Sequence, residues 1–200
     1  MSNKKQEILL AALRLFSKNG YEAVSVSDIA GELSLTKGAL YRHFKSKRDI
    51  FDSIIGRMEQ EDELRAREYG MPEGTPEQNA KAYADASYGN IKEYTIAQFR
   101  YWTEDEFASA FRKMLTLEQY RSPEMARLYG MYLSCGPLGY MEDLFFEMTS
   151  DRDKSEKLAV EFYAPMFLLY NIYDLTQDKK SVLCALTEHI EDFGVKNGLN

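Results

Sequence analysis

Cysteine and histidine are nearly missing from this chain, with two of each in 200 residues. Cys135 and Cys184 stand alone without a Cys-x-x-Cys spacing, so neither a disulfide framework nor a zinc ligand set is present, and reduced thiols and no metal are expected. No apolar run approaches the roughly 20 residues that a membrane-spanning helix needs. Residues 1–16 are amphipathic with no cleavage site behind them, unlike a secretory signal, so a cytoplasmic protein with no membrane contact is expected. Gly-rich phosphate loops and metal-ligand clusters are missing, and neither His43 nor His189 has a nucleophile at motif spacing. These absences argue against an enzyme and against a cofactor. Strand-like alternation is nearly absent too.

A hydrophobic fraction of 44% is ample for a packed core at this length, which excludes disorder as the default. Apolar residues recur at helical spacing from end to end with Gly and Pro between the runs, so the fold class is all-α. The net charge of −7 taken alone argues against a nucleic-acid partner. Its distribution argues otherwise. Residues 1–50 carry nine Lys/Arg against five Asp/Glu, a net +4, while the remaining 150 carry sixteen against twenty-seven, a net −11. A basic head on an acidic body is the footprint of a small module that meets phosphate, with chance variation of surface charge as the bland alternative.

Ile8, Leu9, Ala12, Leu13 and Phe16 form one face of a first helix, which Gly20 is placed to end in a left-handed conformation. Ser25 and Asp28 have the spacing of a capping box that starts a second, short helix. Thr36 caps a third short helix, and Ser46 with Asp49 repeats the pattern ahead of a long fourth one, about 46–68. The stretch 69–76 is the clearest break. Thr75-Pro76-Glu77-Gln78 then starts a helix whose inward stripe runs without interruption from Ala80 through Tyr83, Ser87, Ile91 and Tyr94 to Gln98 and on toward Trp102. Further helices are predicted over 105–120, from Ser122-Pro123 to an interruption at Cys135-Gly136-Pro137, over 138–148, over about 155–175 and over about 180–195.

Function is concentrated in residues 25–47. Leu40 and Phe44, four apart, make the buried side of the third helix, which turns Lys37, Tyr41 and Arg42 outward beside small Gly38 and Ala39. A helix with so little bulk at its N-terminus can push that end into a major groove. Tyr41, His43, Lys47 and Ser25 are placed to grip phosphates, which fixes register, and Arg42 could serve either purpose. On a helix considered alone, Tyr41 and His43 would more often simply pack on the head.

Ile29-Ala30, Thr36-Lys37-Gly38, Leu40-Tyr41, His43-Phe44 and Lys47 together make residues 5–55 resemble the TetR family of bacterial transcription regulators. The resemblance implies DNA binding by Ser25, Thr36, Lys37, Gly38, Tyr41, His43 and Lys47, and the outward position of Ala39 and Arg42 adds these two to the expected DNA-binding residues. The chain departs from the family pattern at Leu33-Ser34, where Ala-Gly is usual. Ser34 therefore falls where Gly is preferred, and the angle between the two helices stays open.

Beyond residue 70 the resemblance is one of architecture. It implies a three-helix helix-turn-helix domain at 1–48 and a helical effector-binding and dimerisation domain at 49–200, with the fourth helix connecting them. The expected partners are a palindromic double-stranded operator, a second copy of the chain and a small-molecule effector that releases a repressor from DNA. An interface is expected at Phe162, Tyr163, Met166, Tyr170, Tyr173, Leu186, Ile190 and Phe193, because the apolar faces of the last two helices are wider than one neighbour covers. A ligand pocket is expected among Tyr83, Ser87, Tyr94, Gln98, Trp102, Phe111, Tyr132 and Tyr140, against the reading that such stripes are core. The alternative function is a DNA-bound structural or protein-interaction dimer without an effector.

Overall fold

The computed structural model describes residues 3–199. Eleven helices, and no strand, occur among the described residues. They are α1 (Asn3–Asn19), α2 (Val26–Glu32), α3 (Lys37–Tyr41), α4 (Lys47–Glu68), α5 (Pro76–Asp85), α6 (Tyr88–Glu104), α7 (Glu106–Glu118), α8 (Pro123–Leu133), α9 (Cys135–Thr149), α10 (Arg152–Leu175) and α11 (Lys179–Asn197). The chain divides into two compact units. The first holds the residues through Asp62 together with Asp105–Tyr129, and the second holds Glu63–Glu104 together with Gly130 onward.

In the first unit, α1 buries Ile8, Leu9, Ala12, Leu13 and Phe16, the face its spacing predicts, and Gly20 closes it with φ +85° and an N–H donated to Phe16 O at 2.9 Å. α2 and α3 contribute Ile29, Ala30 and Leu40, the turn after α3 contributes Phe44, and the first turns of α4 add Ile50, Phe51 and Ile54. α7 packs along α1 and buries Phe107, Phe111, Met114 and Leu115. Each of these large apolar side chains contributes about 1.5–3 kcal/mol when fully buried. The head is thus completed by a helix from the middle of the sequence.

In the second unit, α9 lies against α10, α10 against α11, both against α6, and α5 against α9. Phe145, Phe162 and Phe193 meet there with ring centroids 5.1–5.6 Å apart. Tyr88 joins them, and its hydroxyl donates to Ile190 O at 2.5 Å. Gly194 is required at this point because a Cβ would run into the Tyr88 ring.

Two boundaries differ from the sequence expectation. The long helix predicted from Pro76 is two helices, parted where Ala86 takes an extended conformation, ψ 123°. Ser87 caps the second, since Asn90 N donates to Ser87 Oγ at 3.1 Å and Ser87 N to Asn90 Oδ1 at 3.3 Å. A new cap therefore overrode an apolar spacing that runs on across the break. Further along, the interruption falls at Ser134 (φ −138°, ψ −94°), and Cys135-Gly136-Pro137 is the first turn of α9. Gly136 is needed because a Cβ there would collide with Met131 O at the end of α8.

Candidate nucleic-acid interface

Two caps set the geometry of α2 and α3. Asp28 N donates to Ser25 Oγ at 3.2 Å while Ser25 N donates to Asp28 Oδ2 at 2.7 Å, the reciprocal box that the spacing predicts. Hydrogen bonding by the Ser25 side chain, and then by its backbone N–H, holds the Asp28 carboxyl below its ordinary value. Ala39 N donates to Thr36 Oγ1 at 3.1 Å and so starts α3. The Ser46 cap is also present, with Asp49 N on Ser46 Oγ at 3.0 Å, but Asp49 reaches one residue further back, to Lys45 N at 2.7 Å.

Between the two helices, Leu35 N donates to Ala30 O at 2.8 Å and Ser34 N to Gly31 O at 3.0 Å. This pair of bonds is a Schellman closure, and it forces the fifth of its six residues into left-handed backbone. That residue is Ser34, at φ +54°, as the departure from the family pattern predicts. The angle between α2 and α3 is thus set by a residue that bears strain of about 1–2 kcal/mol.

Leu40 is fully buried beneath α3, and Phe44 is nearly so. Lys37, Gly38, Tyr41 and Arg42 are exposed, as are the capping residues Ser25 and Thr36, whereas Ala39 and His43 are half-buried. A Cβ at Gly38 would meet nothing in the chain within 4 Å, so the bare backbone there faces open space. Tyr41 keeps 44% of its surface exposed, with the Lys37 ammonium 5.9 Å from its ring centroid. Among the described residues Lys37, Arg42 and Lys45 form no ion pair, while Arg48 is held by Asp52 and Glu124. Lys45 is a cation that motif reasoning passes over, although the run Lys45-Ser46-Lys47 signals it.

Lys47 is placed differently from its neighbours. Its ammonium lies 4.3 Å from the Tyr21 ring centroid and donates to Tyr21 O at 2.9 Å and Glu22 O at 3.4 Å. Two of its three protons are spent inside the head, which makes it first a pin on the turn between α1 and α2.

The residues expected at a ligand pocket are divided between the two units. Phe111 is fully buried on α7 in the first unit, and the other seven belong to the second. Ser87 is the exposed α6 cap. Tyr83 and Tyr140 meet edge to face at 6.0 Å and donate to Gly74 O and Pro72 O, each at 2.8 Å. Burial, with Asp143 and Glu77 adding to it, pushes the Tyr83 hydroxyl up to about 12. Gln98 Nε2 donates to Tyr94 Oη at 2.6 Å, and Trp102 faces Tyr132 at 6.3 Å. The eight residues expected at a dimer interface are all buried inside the single chain. On the last two helices the large apolar side chains left outside are Val160, Leu168, Ile172 and Leu175 of α10 and Val195 of α11, and Leu168 is 62% and Leu175 85% exposed.

Residues 8–54 match the family profile of bacterial regulatory proteins, tetR family. The chain is 48% identical over 50 residues to the HTH-type transcriptional regulator AcrR of Shigella flexneri, a stretch that covers 25% of this chain and 23% of that protein. It is 30% identical over 191 residues to the uncharacterized HTH-type transcriptional regulator YuxN of Bacillus subtilis, covering 95% of this chain and 53% of that protein. The chain thus spans about a quarter of one of these relatives and about half of the other. Among solved structures, the SmeT–triclosan complex superposes with a TM-score of 0.66 at 15% identity, over 98% of this chain and 91% of that one. At that identity the likeness is one of fold.

Proposed function

The chain belongs, through residues 8–54, to the TetR family of bacterial regulatory proteins, and from that premise we propose that it is a DNA-binding transcriptional regulator, acting as a repressor. The observation that carries this reading is the outer face of α3. Lys37, Gly38, Tyr41 and Arg42 stand exposed there, their cations without acidic partners, on a helix held from below by Leu40 and capped by Thr36. Cations without partners attract phosphate, and a side-chain-free Gly38 lets backbone approach base edges. Ser25, Tyr41, Lys45 and the remaining proton of Lys47 flank the groove and fix the register of the helix within it. The salt dependence of duplex binding tests this. Each phosphate that a variant such as Arg42→Ala no longer neutralises lowers the slope of log K against log salt by about one, and an unchanged slope in both Lys37→Ala and Arg42→Ala would remove α3 from the interface.

One short recognition helix reads few base pairs, so the working form is a homodimer on a palindrome with half-sites about 34 Å apart. The exposed stripe of Val160, Leu168, Ile172 and Leu175 on α10, with Val195 on α11, supports a symmetric interface there. The side chains first expected at that interface fill the chain's own core and are not available for it. A small-molecule effector is the remaining part of the reading. The triclosan held by SmeT, a fold neighbour, and the tyrosine-rich second unit support a flat, apolar ligand. A compound that binds only the folded protein raises its melting temperature, and such compounds are then expected to release the DNA.

A further inference from the structure

The Tyr21 peptide is gripped from two sides. On one, Lys47 Nζ at the start of α4 donates to its carbonyl at 2.9 Å; on the other, its N–H donates to Glu118 Oε1 of α7 at 3.0 Å. Glu118 is 1% exposed, an unusual place for a carboxylate, and Arg121 Nε approaches its Oε1 at 3.5 Å. Gly20 is shaped around the same oxygen, since a Cβ there would lie 2.6 Å from Glu118 Oε1. The gripped turn leads straight into Ser25, the cap of α2, and so into the α2–α3 pair. A chain that needed only a core contact here would bury an apolar side chain, because a buried carboxylate is costly unless its hydrogen bonds matter.

We infer that Glu118 is a positioning residue for DNA reading: its buried carboxylate fixes the turn between α1 and α2 and thereby the attitude of α2 and α3. The inference rests on the proposed function above, and it places one determinant of DNA affinity on a helix far outside the stretch that the family profile matches. It also gives α7 a direct hold on the head, so any event that displaces α7 loosens the reading helices.

The test compares wild type with Glu118→Met, which fills the same volume without a comparable acceptor, and Glu118→Gln, which keeps one, at a temperature where all three are folded. Amide hydrogen exchange is read first, because it needs no DNA. Glu118→Met is expected to speed exchange at Tyr21 and also at Leu35, whose N–H closes the α2–α3 turn, with Glu118→Gln restoring both. Acceleration confined to Tyr21, or none, overturns the inference even if the protein binds no DNA at all. The second arm uses the duplex that wild type enriches from a randomised pool. Glu118→Met is expected to bind it about tenfold more weakly than wild type, and Glu118→Gln within about threefold. Equal binding by folded Glu118→Met overturns the inference alone, whereas failure of wild type to enrich any duplex overturns the DNA-reading function itself.

Discussion

Ser34 carries the strain on which the angle between α2 and α3 depends, because the Schellman bonds of Leu35 and Ser34 can close only with φ near +54° at that position. Replacing it by glycine removes about 1–2 kcal/mol of left-handed strain and adds about 0.4–1 kcal/mol of unfolded-state entropy. Ser34→Gly is therefore expected to stabilise the protein by up to about 1.5 kcal/mol, read as a higher urea midpoint with unchanged slope. A lower midpoint would mean that the Ser34 side chain makes a contact worth more than its strain. Charge at the same scale gives a pH dependence. Glu124 is held below its ordinary value first by its hydrogen bonds with Arg48, and Asp28 is held low by Ser25. A carboxyl lowered in the folded state contributes stability above its unfolded pKa and loses it as pH falls through the folded one. The urea midpoint should therefore fall as the pH is taken down through the ordinary carboxylate values of 4.5 and 3.8, and Glu124→Gln should make the fall shallower. Asp28 is exposed and Glu124 keeps 35% of its side-chain surface exposed, so solvent screening makes the effect modest. Ser34 and Asp28 were both legible in the sequence, since local backbone bonding decides each of them. Lys47 was legible only as a cation, because its turn toward Tyr21 depends on a residue twenty-six positions away.

Among the helices, those with capping signals at their starts are where their sequences put them. α2, α3 and α4 could be read from their caps and α1 from its apolar spacing, since both act within a few residues, whereas α10 starts three residues before the expected Ser155, at a cap on Asp151 that the apolar spacing does not show. The break between α5 and α6 could not be read from spacing, because Tyr83, Ser87 and Ile91 keep a four-residue step across it. Its signal was Ser87-Tyr88-Gly89-Asn90, a second capping box hidden inside an apolar stripe. Ser87→Ala is expected to cost about 1 kcal/mol in thermal unfolding, the ordinary value of a missing N-cap. No change would mean that Tyr88 and its bond to Ile190 O hold the start of α6 without the cap. α7 joins the head through Arg14 with Glu106, the Tyr21 N–H with Glu118, and the burial of Phe107 and Phe111. A periodic stripe tells which face of a helix is buried and leaves its partner open, so this assembly was not readable from the sequence.

For the molecule as a whole, the separation of a basic head from an acidic body was plain from charge alone, and the family signature within residues 8–54 agrees with it. The surface available to a second copy was not plain. Phe162, Met166, Tyr170 and Phe193 lie on wide apolar faces, and width alone cannot divide core from interface. With Leu168 and Leu175 left outside, the double substitution Leu168→Glu, Leu175→Glu is expected to shift light scattering from dimer to monomer with little change in melting temperature of the chain. A dimer that survives it would place the interface elsewhere. Homodimeric DNA reading by α3 is the central claim, and it is tested most directly by offering the protein a randomised duplex pool at moderate salt and sequencing what is retained. Wild type is expected to recover a two-fold symmetric site that the Lys37→Ala, Tyr41→Ala double variant does not. Retention no richer in any sequence than that of the variant would contradict the account and leave α3 a scaffold.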